Sequence, residues 1–139
     1  MLFAQALLTT SAGIVLALGL VHLVYTFWGP MFMPRDPALR ARMSEVSPVI
    51  SRQTTMWKMW IGFNATHSLG AILFGVVYGH LALYHPAFLF HSGFLLFVGL
   101  CLLSSYAALG KAYWFGIPFT GTLLALASYA GGLAAALIR

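Results

Sequence analysis

Four long apolar runs divide the chain, and short polar or turn-forming segments separate them. The runs cover residues of about 3–28, 57–83, 87–109 and 118–138. Each is long enough to cross the hydrocarbon core of a bilayer, which takes about 20 residues of helix. Turn-forming pairs follow the first three runs: Gly29-Pro30, His85-Pro86 and Gly110-Lys111. The pattern predicts an all-α fold, in which an antiparallel bundle of four transmembrane helices forms a single domain over 1–139.

The segment 30–56, between the first two runs, is the polar part of the chain. Its Asp36-Pro37 pair is typical of a helix N-cap followed by proline at the first helical position. We therefore expect a short amphipathic helix that ends between Ser44 and Pro48. Such a helix can lie on the membrane surface with its arginines near anionic headgroups, or it can fold under the bundle as a lid.

Composition and charge place the chain in a membrane and orient it. Hydrophobic residues make up 61% of the sequence and charged residues 6%, which is far outside the norm for soluble domains. Six basic residues are predicted on the side of the membrane that holds the loop 30–56: Arg35, Arg40, Arg42, Arg52, Lys58 and Lys111. Arg139 is the one basic residue predicted on the other side. Because cytoplasmic loops carry the excess of Lys and Arg, we predict a multi-pass inner-membrane protein with both termini on the non-cytoplasmic side. The basic residues form no groove for nucleic acid, so the lipid bilayer is the expected partner.

Polar side chains interrupt two of the apolar runs at a similar depth. Asn64, His67 and Ser68 share one helix face through their i, i+3, i+4 spacing. His22 lies at a matching depth in the first run, roughly 9 to 15 Å inside the cytoplasmic interface at 1.5 Å per residue. Imidazole and amide groups are costly in hydrocarbon, so their presence there indicates a function or a hydrogen-bond network.

Because these polar residues lie at a similar depth, they predict an intramembrane polar pocket on the cytoplasmic side. The pocket is expected to bind a small amphiphile, such as a lipid, a quinone or an isoprenoid. A neutral imidazole both donates and accepts, so His67 together with Asn64 would bind the polar head and could move a proton. The sequence names no cofactor. The residues predicted to bind the ligand are His22, Tyr25, Thr26, Trp60, Asn64, His67, Ser68, Ser105 and Thr122.

Other interpretations of these residues stay open. Ser, Thr, Asn and His can simply join helices by hydrogen bonds, at about 0.6 to 2 kcal/mol each. His22 and His67 could ligate one haem. No carboxylate or cysteine joins them, so no metal site is expected at that depth. At the outer turn, His80, His85 and His91 could together hold zinc or copper.

Motifs of common enzyme classes are missing from the sequence. It contains no P-loop, no G-x-S-x-G, no H-E-x-x-H and no acidic residue within a predicted span. Carboxylate-driven transport and hydrolysis by paired carboxylates are therefore disfavoured. An enzymatic role such as proton-shuttling isomerisation stays open.

Small residues form a second pattern. Gly75 and Gly79 make a G-x-x-x-G that Ala71 extends, and the fourth run is rich in Gly and Ala. Packing inside the bundle is the expected use, and contact within a homodimer is the alternative. The fourth helix could instead pack against a larger membrane complex. A noncatalytic accessory or assembly subunit is therefore the main alternative to a ligand-binding protein.

Four segments carry a resemblance to known proteins: GLVHL at 19–23, SPVISRQTTMW at 47–57, GFNATHSLG at 62–70 and YWFGIP at 113–118. The chain resembles a family of small bacterial four-helix integral membrane proteins, with a Gly-Phe-Asn-x-x-His-Ser signature on the second helix. The resemblance covers most of the chain and implies the four-helix fold. It implies no activity, cofactor or partner.

Overall fold

A computed structural model of the chain describes residues 2–138 and contains six helices and, over those residues, no strand. The four long helices are α1 (Leu2–Phe27), α3 (Met56–Tyr84), α5 (Gly93–Tyr113) and α6 (Gly116–Leu137); the short ones are α2 (Pro37–Glu45) and α4 (Pro86–His91). All four long helices are long and apolar enough to cross a membrane. The predicted all-α fold with four transmembrane helices is confirmed, and the chain is a multi-pass membrane protein.

The third predicted helix differs from the observed structure at both ends. Instead of one helix over 87–109, the chain forms α4, breaks at Ser92 and continues as α5. The Ser92 hydroxyl accepts a hydrogen bond from the Leu95 amide at 3.3 Å, which is N-cap geometry. At its other end α5 runs past Gly110 to Tyr113. Gly110 is a packing residue, because a Cβ there would lie 3.1 Å from the indole of Trp114.

Capping residues set the helix ends within the polar loop and on either side of it. As predicted, α2 begins at an Asp36 N-cap, whose carboxylate accepts from the Ala38 amide at 2.8 Å. The Thr55 hydroxyl accepts from the Lys58 amide at 3.4 Å in the first turn of α3. Gly29, two residues beyond α1, adopts a φ of +93°, a left-handed conformation that favours glycine after a helix. These caps fix where α1 and α3 give way to the loop.

The described chain forms two compact units, and each is treated separately below. The bundle unit comprises residues 2–18 and 71–138, and the loop unit comprises residues 19–70. Within the bundle unit, α1 and α3 run antiparallel and are in close contact at Gly75. A Cβ on Gly75 would lie 2.6 Å from the Leu16 Cβ and 2.9 Å from the Ala12 carbonyl oxygen. Glycine is therefore required there, as in close helix contacts of membrane proteins generally.

Small residues of α6 are also used inside the bundle unit. A Cβ on Gly121 would lie 2.9 Å from the Leu18 side chain, and one on Gly132 would lie 3.1 Å from the Ala4 carbonyl oxygen. The glycines of α6 thus let α1 approach closely.

Two buried tyrosines join the helices of the bundle unit. The Tyr78 hydroxyl donates to the Leu95 carbonyl at 2.7 Å, and the Tyr129 hydroxyl donates to the Leu96 carbonyl at 3.2 Å. The ring of Tyr78 also stacks on Phe74, with centroids 4.4 Å apart. Each phenol thus has a partner at the start of α5, which satisfies its hydrogen-bonding need away from water.

Candidate functional site

The loop unit brings together the polar residues that the sequence predicted to lie at a similar depth in the membrane. His22 Nε2 lies 3.0 Å from Asn64 Oδ1, so with this orientation of the amide the imidazole donates to it. The His67 ring meets the His22 ring edge-on, with centroids 5.1 Å apart. The fully buried Ser68 hydroxyl donates to the Asn64 carbonyl at 2.8 Å. One residue of α1 and three of α3 therefore form a single polar cluster.

Further contacts extend this cluster to the loop residue Phe32. Asn64 Nδ2 donates to the Trp60 carbonyl at 2.7 Å, and Trp60 Nε1 donates to the Phe32 carbonyl at 2.9 Å. The Phe32 ring packs back against the His22 ring, with centroids 4.5 Å apart. We call this closed set of contacts, formed by His22, Asn64, Trp60 and Phe32, the Phe32 clamp. It ties the loop to the ends of both α1 and α3.

A cleft of about 260 Å³ lies next to the clamp, and we call it the Arg40 cleft. Its lining residues are Tyr25, Thr26, Phe27, Gly29, Phe32, Met33, Arg40, Trp57 and Ile61. Two of the predicted ligand-binding residues, Tyr25 and Thr26, therefore lie on its wall. The Thr26 hydroxyl donates to the His22 carbonyl at 2.8 Å, so its oxygen offers the cleft an acceptor.

A second cleft, of about 310 Å³, shares part of this wall and is the methionine cleft below. It is lined by Met31, Phe32, Met33, Pro34, Met43 and Trp60. Phe32 and Met33 line both clefts, so the clamp that fixes Phe32 also fixes the wall between them. Thioether side chains are flexible and polarizable, which suits contact with an apolar chain of variable shape.

Arg40 is the charged residue of the Arg40 cleft. Its guanidinium carbon lies 3.5 Å from the centroid of the Trp57 ring, in a cation–π contact. Within residues 2–138, no carboxylate forms an ion pair with it. Asp36 caps α2, and the Glu45 carboxylate lies 3.2 Å from the guanidinium of Arg42. The cleft therefore has a positive group without a counter-charge from the described residues.

Two predicted ligand-binding residues, Ser105 and Thr122, lie in the bundle unit. The Ser105 hydroxyl donates to the Cys101 carbonyl at 2.8 Å, and the Thr122 hydroxyl donates to the Phe119 carbonyl at 2.9 Å. Each donor is therefore used within its own helix. A role for either residue in binding a ligand stays a prediction.

The histidine pair of the cluster does not fit haem ligation. Two axial histidines must lie on opposite faces of the porphyrin plane. The rings of His22 and His67 are in edge contact instead, and His22 Nε2 is directed at Asn64. No space for a porphyrin is left between the two rings in this arrangement.

The outer histidines do not assemble a three-ligand metal site. The rings of His80 and His85 lie 5.4 Å apart, whereas His91 Nδ1 contacts the Ala87 carbonyl at 2.6 Å. Across the part of the chain that the structure describes, no group of three or more His, Cys, Asp or Glu could hold a metal ion.

Sequence reasoning did not identify two central parts of this site, Phe32 and Arg40. Phe32 lies in an aperiodic turn, where neither helical nor strand spacing gives a signal. Arg40 entered only as one of the charges that orient the chain, although it shares a face of α2 with Met43 by i, i+3 spacing. That spacing is the one signal that could have placed Arg40 at a cleft.

The fold and these contacts define a class: a multi-pass α-helical membrane protein whose polar loop is clamped to two of its helices beside a positively charged cleft. Comparisons with known protein families, with curated proteins and with solved structures each found no match. The resemblance carried by the segments 19–23, 47–57, 62–70 and 113–118 therefore stays a prediction, and the function is argued from the chemistry of the site.

Proposed function

We propose that this is an inner-membrane protein that binds a small amphiphile, such as a lipid, a quinone or an isoprenoid, in the Arg40 cleft on the cytoplasmic side. The observation that carries the proposal is the lining of the cleft. Aromatic and apolar side chains predominate, with a few polar groups among them, which is typical of small-molecule sites. The volume of about 260 Å³ is just below the range of such sites, roughly 300 to 1,000 Å³, and suits a headgroup better than a whole lipid.

Each of the two clefts would bind a different end of the amphiphile. In this proposal the polar head occupies the Arg40 cleft, where Tyr25 and Thr26 offer hydrogen bonds. The apolar chain passes Phe32 and Met33 to contact the thioethers of the methionine cleft. The Phe32 clamp supports this role because it holds the shared wall in place, which reduces the ordering that binding would otherwise require.

Filling the Arg40 cleft should remove the bound amphiphile and leave the fold intact. Ile61 lines the cleft and is half-buried, so Ile61→Trp places a larger ring in the space of the ligand. Native mass spectrometry of protein purified from membranes should show the wild type with one bound amphiphile. We expect occupancy in Ile61→Trp to fall about tenfold, the effect of about 1.4 kcal/mol.

Phe63→Trp is the matched control for this experiment. Phe63 lies two residues further along α3, is 66% exposed and does not line the cleft, so occupancy should stay at the wild-type level. Equal occupancy in Ile61→Trp and Phe63→Trp, or a wild type that carries no amphiphile, would contradict the proposal.

The proposed orientation puts the polar loop 30–56 on the cytoplasmic side. Because α3 crosses the membrane, the connection that follows α3 is then non-cytoplasmic. The support for this orientation is the excess of basic residues in and around 30–58. We expect a cysteine at His91 to react with a membrane-impermeant maleimide in intact cells. A cysteine at Gln53 should react only after permeabilisation. Both positions are exposed. Cys101 is first replaced by alanine, so that the maleimide can react only with the introduced cysteine. The reverse labelling pattern would show that the orientation is wrong.

The noncatalytic accessory or assembly subunit is the alternative from a different class. Its main sequence support was the small-residue surface of the fourth helix. Gly121 and Gly132 of α6 are used in contacts with α1 of the same chain, as is Gly75 of α3. Because internal packing accounts for these glycines, the ligand-binding role is the better supported of the two.

A further inference from the structure

We infer that the amphiphile carries a phosphate group and that Arg40 binds this phosphate. This inference rests on the proposed function and narrows it to one chemical class, the phosphate esters of apolar alcohols and lipids. It assigns Arg40 a specific ligand contact that charge counting along the sequence did not indicate.

Charge complementarity is the first argument. The chain has two acidic residues, and neither neutralises Arg40: Asp36 caps α2, and Glu45 pairs with Arg42. The other residues that line the Arg40 cleft carry no permanent charge. A neutral head, such as a quinone or an alcohol, would leave the guanidinium without a counter-charge in the cleft. A phosphate supplies both the charge and the acceptor oxygens.

The geometry of the guanidinium is the second argument. It lies over the face of Trp57, and its Nη1 donates to the Ser44 hydroxyl. These two contacts hold the plane of the group, while a guanidinium has five N–H donors in all. The remaining donors lie in that plane and form a fork that matches two phosphate oxygens. A lysine at this position would provide a charge but neither the fork nor the same stacking.

The lining of the cleft provides the third argument. Tyr25 places a phenol on the same wall, and a phenol can donate to an anionic oxygen. The cleft volume of about 260 Å³ suits a phosphate with its linking atoms, whereas the chain would continue into the methionine cleft. The two clefts thus fit the two chemically different ends of one phosphorylated amphiphile.

General attraction of a basic loop to anionic headgroups is the competing explanation. That attraction would be shared among the exposed basic residues of the loop. Arg42 is the appropriate comparison, because it lies in the same helix and bonds Glu45 rather than the cleft. A specific site predicts that Arg40 and Arg42 differ, and general attraction predicts that they behave alike.

The test uses the full chain in micelles of an uncharged maltoside detergent, which contains no phosphate, with either phosphatidic acid or diacylglycerol of identical acyl chains added. Native mass spectrometry measures how much of each lipid stays bound. We expect the wild type to retain one phosphatidic acid at least about tenfold better than diacylglycerol, the effect of a charge-assisted hydrogen bond. Arg40→Gln should lose this preference and still bind diacylglycerol. Arg42→Gln should keep the preference, and Arg40→Lys should keep only part of it.

Each outcome separates this inference from the function on which it rests. Equal retention of the two lipids by the wild type would overturn the phosphate assignment and leave amphiphile binding standing. Retention of neither lipid would remove the proposed function itself. Equal effects of Arg40→Gln and Arg42→Gln would favour general attraction and overturn the specific site. If millimolar inorganic phosphate displaces phosphatidic acid completely, the site recognises the free anion, and the assignment to an amphiphile is wrong. The comparison of the two lipids needs only the wild type, so it holds even if Arg40→Gln does not fold.

Discussion

Gly75→Ala should lower the free energy of unfolding by about 1 to 3 kcal/mol, the usual cost of overpacking a close contact. The added Cβ would lie 2.6 Å from the Leu16 Cβ and 2.9 Å from the Ala12 carbonyl oxygen. Neither atom can turn away as the end of a flexible side chain could, so α1 and α3 must move apart. The loss is expected even though alanine is intrinsically the better helix former, by about 1 kcal/mol. Reversible unfolding in mixed micelles measures this loss of unfolding free energy.

Gly79→Ala, one helical turn further along α3, is the matched control. Its Cβ would lie 3.6 Å from the Ala12 Cβ, which is an ordinary van der Waals distance. Helix propensity then dominates, and the variant should be as stable as the wild type or more stable. The two substitutions are chemically identical, so opposite signs isolate the close approach at Gly75. A stable Gly75→Ala variant would show that α1 and α3 do not approach as closely as the structure has them.

The transmembrane fold could be predicted from the sequence because a bilayer imposes one strong rule. Backbone groups in hydrocarbon must be satisfied within the helix, so length and apolar character alone identify the spans. The ends of helices follow weaker local rules. The third apolar run is interrupted at Ser92, whose hydroxyl accepts a hydrogen bond from the Leu95 amide. Gly110 looks like a helix terminator although it is a packing residue. Hydropathy does not distinguish these uses, so the sequence placed α5 incorrectly at both ends.

The site was predictable to the extent that helix geometry alone determines it. Depth counting matched His22 with Asn64 across two helices because the rise per residue is fixed, and the structure joins the two side chains. The position of Phe32 depends instead on the turn that the Met33 amide closes by donating to the Pro30 carbonyl, and on a hydrogen bond from the Trp60 indole. Such contacts are tertiary and leave no periodic trace in the sequence. The clefts that Phe32 lines therefore appear only in the folded chain.

The second large effect is expected at the hydrogen bond between His22 and Asn64. Replacing either residue with leucine leaves the other without its partner, and we expect each single variant to lose about 1 to 3 kcal/mol of unfolding free energy. The double variant should lose less than the sum, because it removes both polar groups together. A coupling free energy of about 0.6 to 1.7 kcal/mol is expected from interhelical hydrogen bonds in membranes. A double-mutant cycle, measured by unfolding in one detergent, gives this value directly.

Thr66→Val provides the control for loss of a hydroxyl in the same helix. The Thr66 hydroxyl donates only to carbonyls of its own helix, at Gly62 and Phe63, so stability should change by no more than about 0.5 kcal/mol. Amide hydrogen exchange over 28–36 adds a second readout. Breaking the Phe32 clamp at His22 or Asn64 should speed exchange there, and Thr66→Val should not.

The same cycle decides between two uses of the polar cluster. If His22 and Asn64 form a structural clamp, the double leucine variant keeps part of its stability, and amphiphile binding falls only as far as the wall at Phe32 loosens. If these side chains contact the ligand themselves, the coupling is close to zero in ligand-free protein, and either single variant abolishes amphiphile binding with little loss of stability. The 3.0 Å bond between the two side chains favours the clamp, because it uses the donor of His22 and the acceptor of Asn64 on each other. A coupling near zero together with lost binding would reverse that assignment and return both residues to the direct role that the sequence predicted.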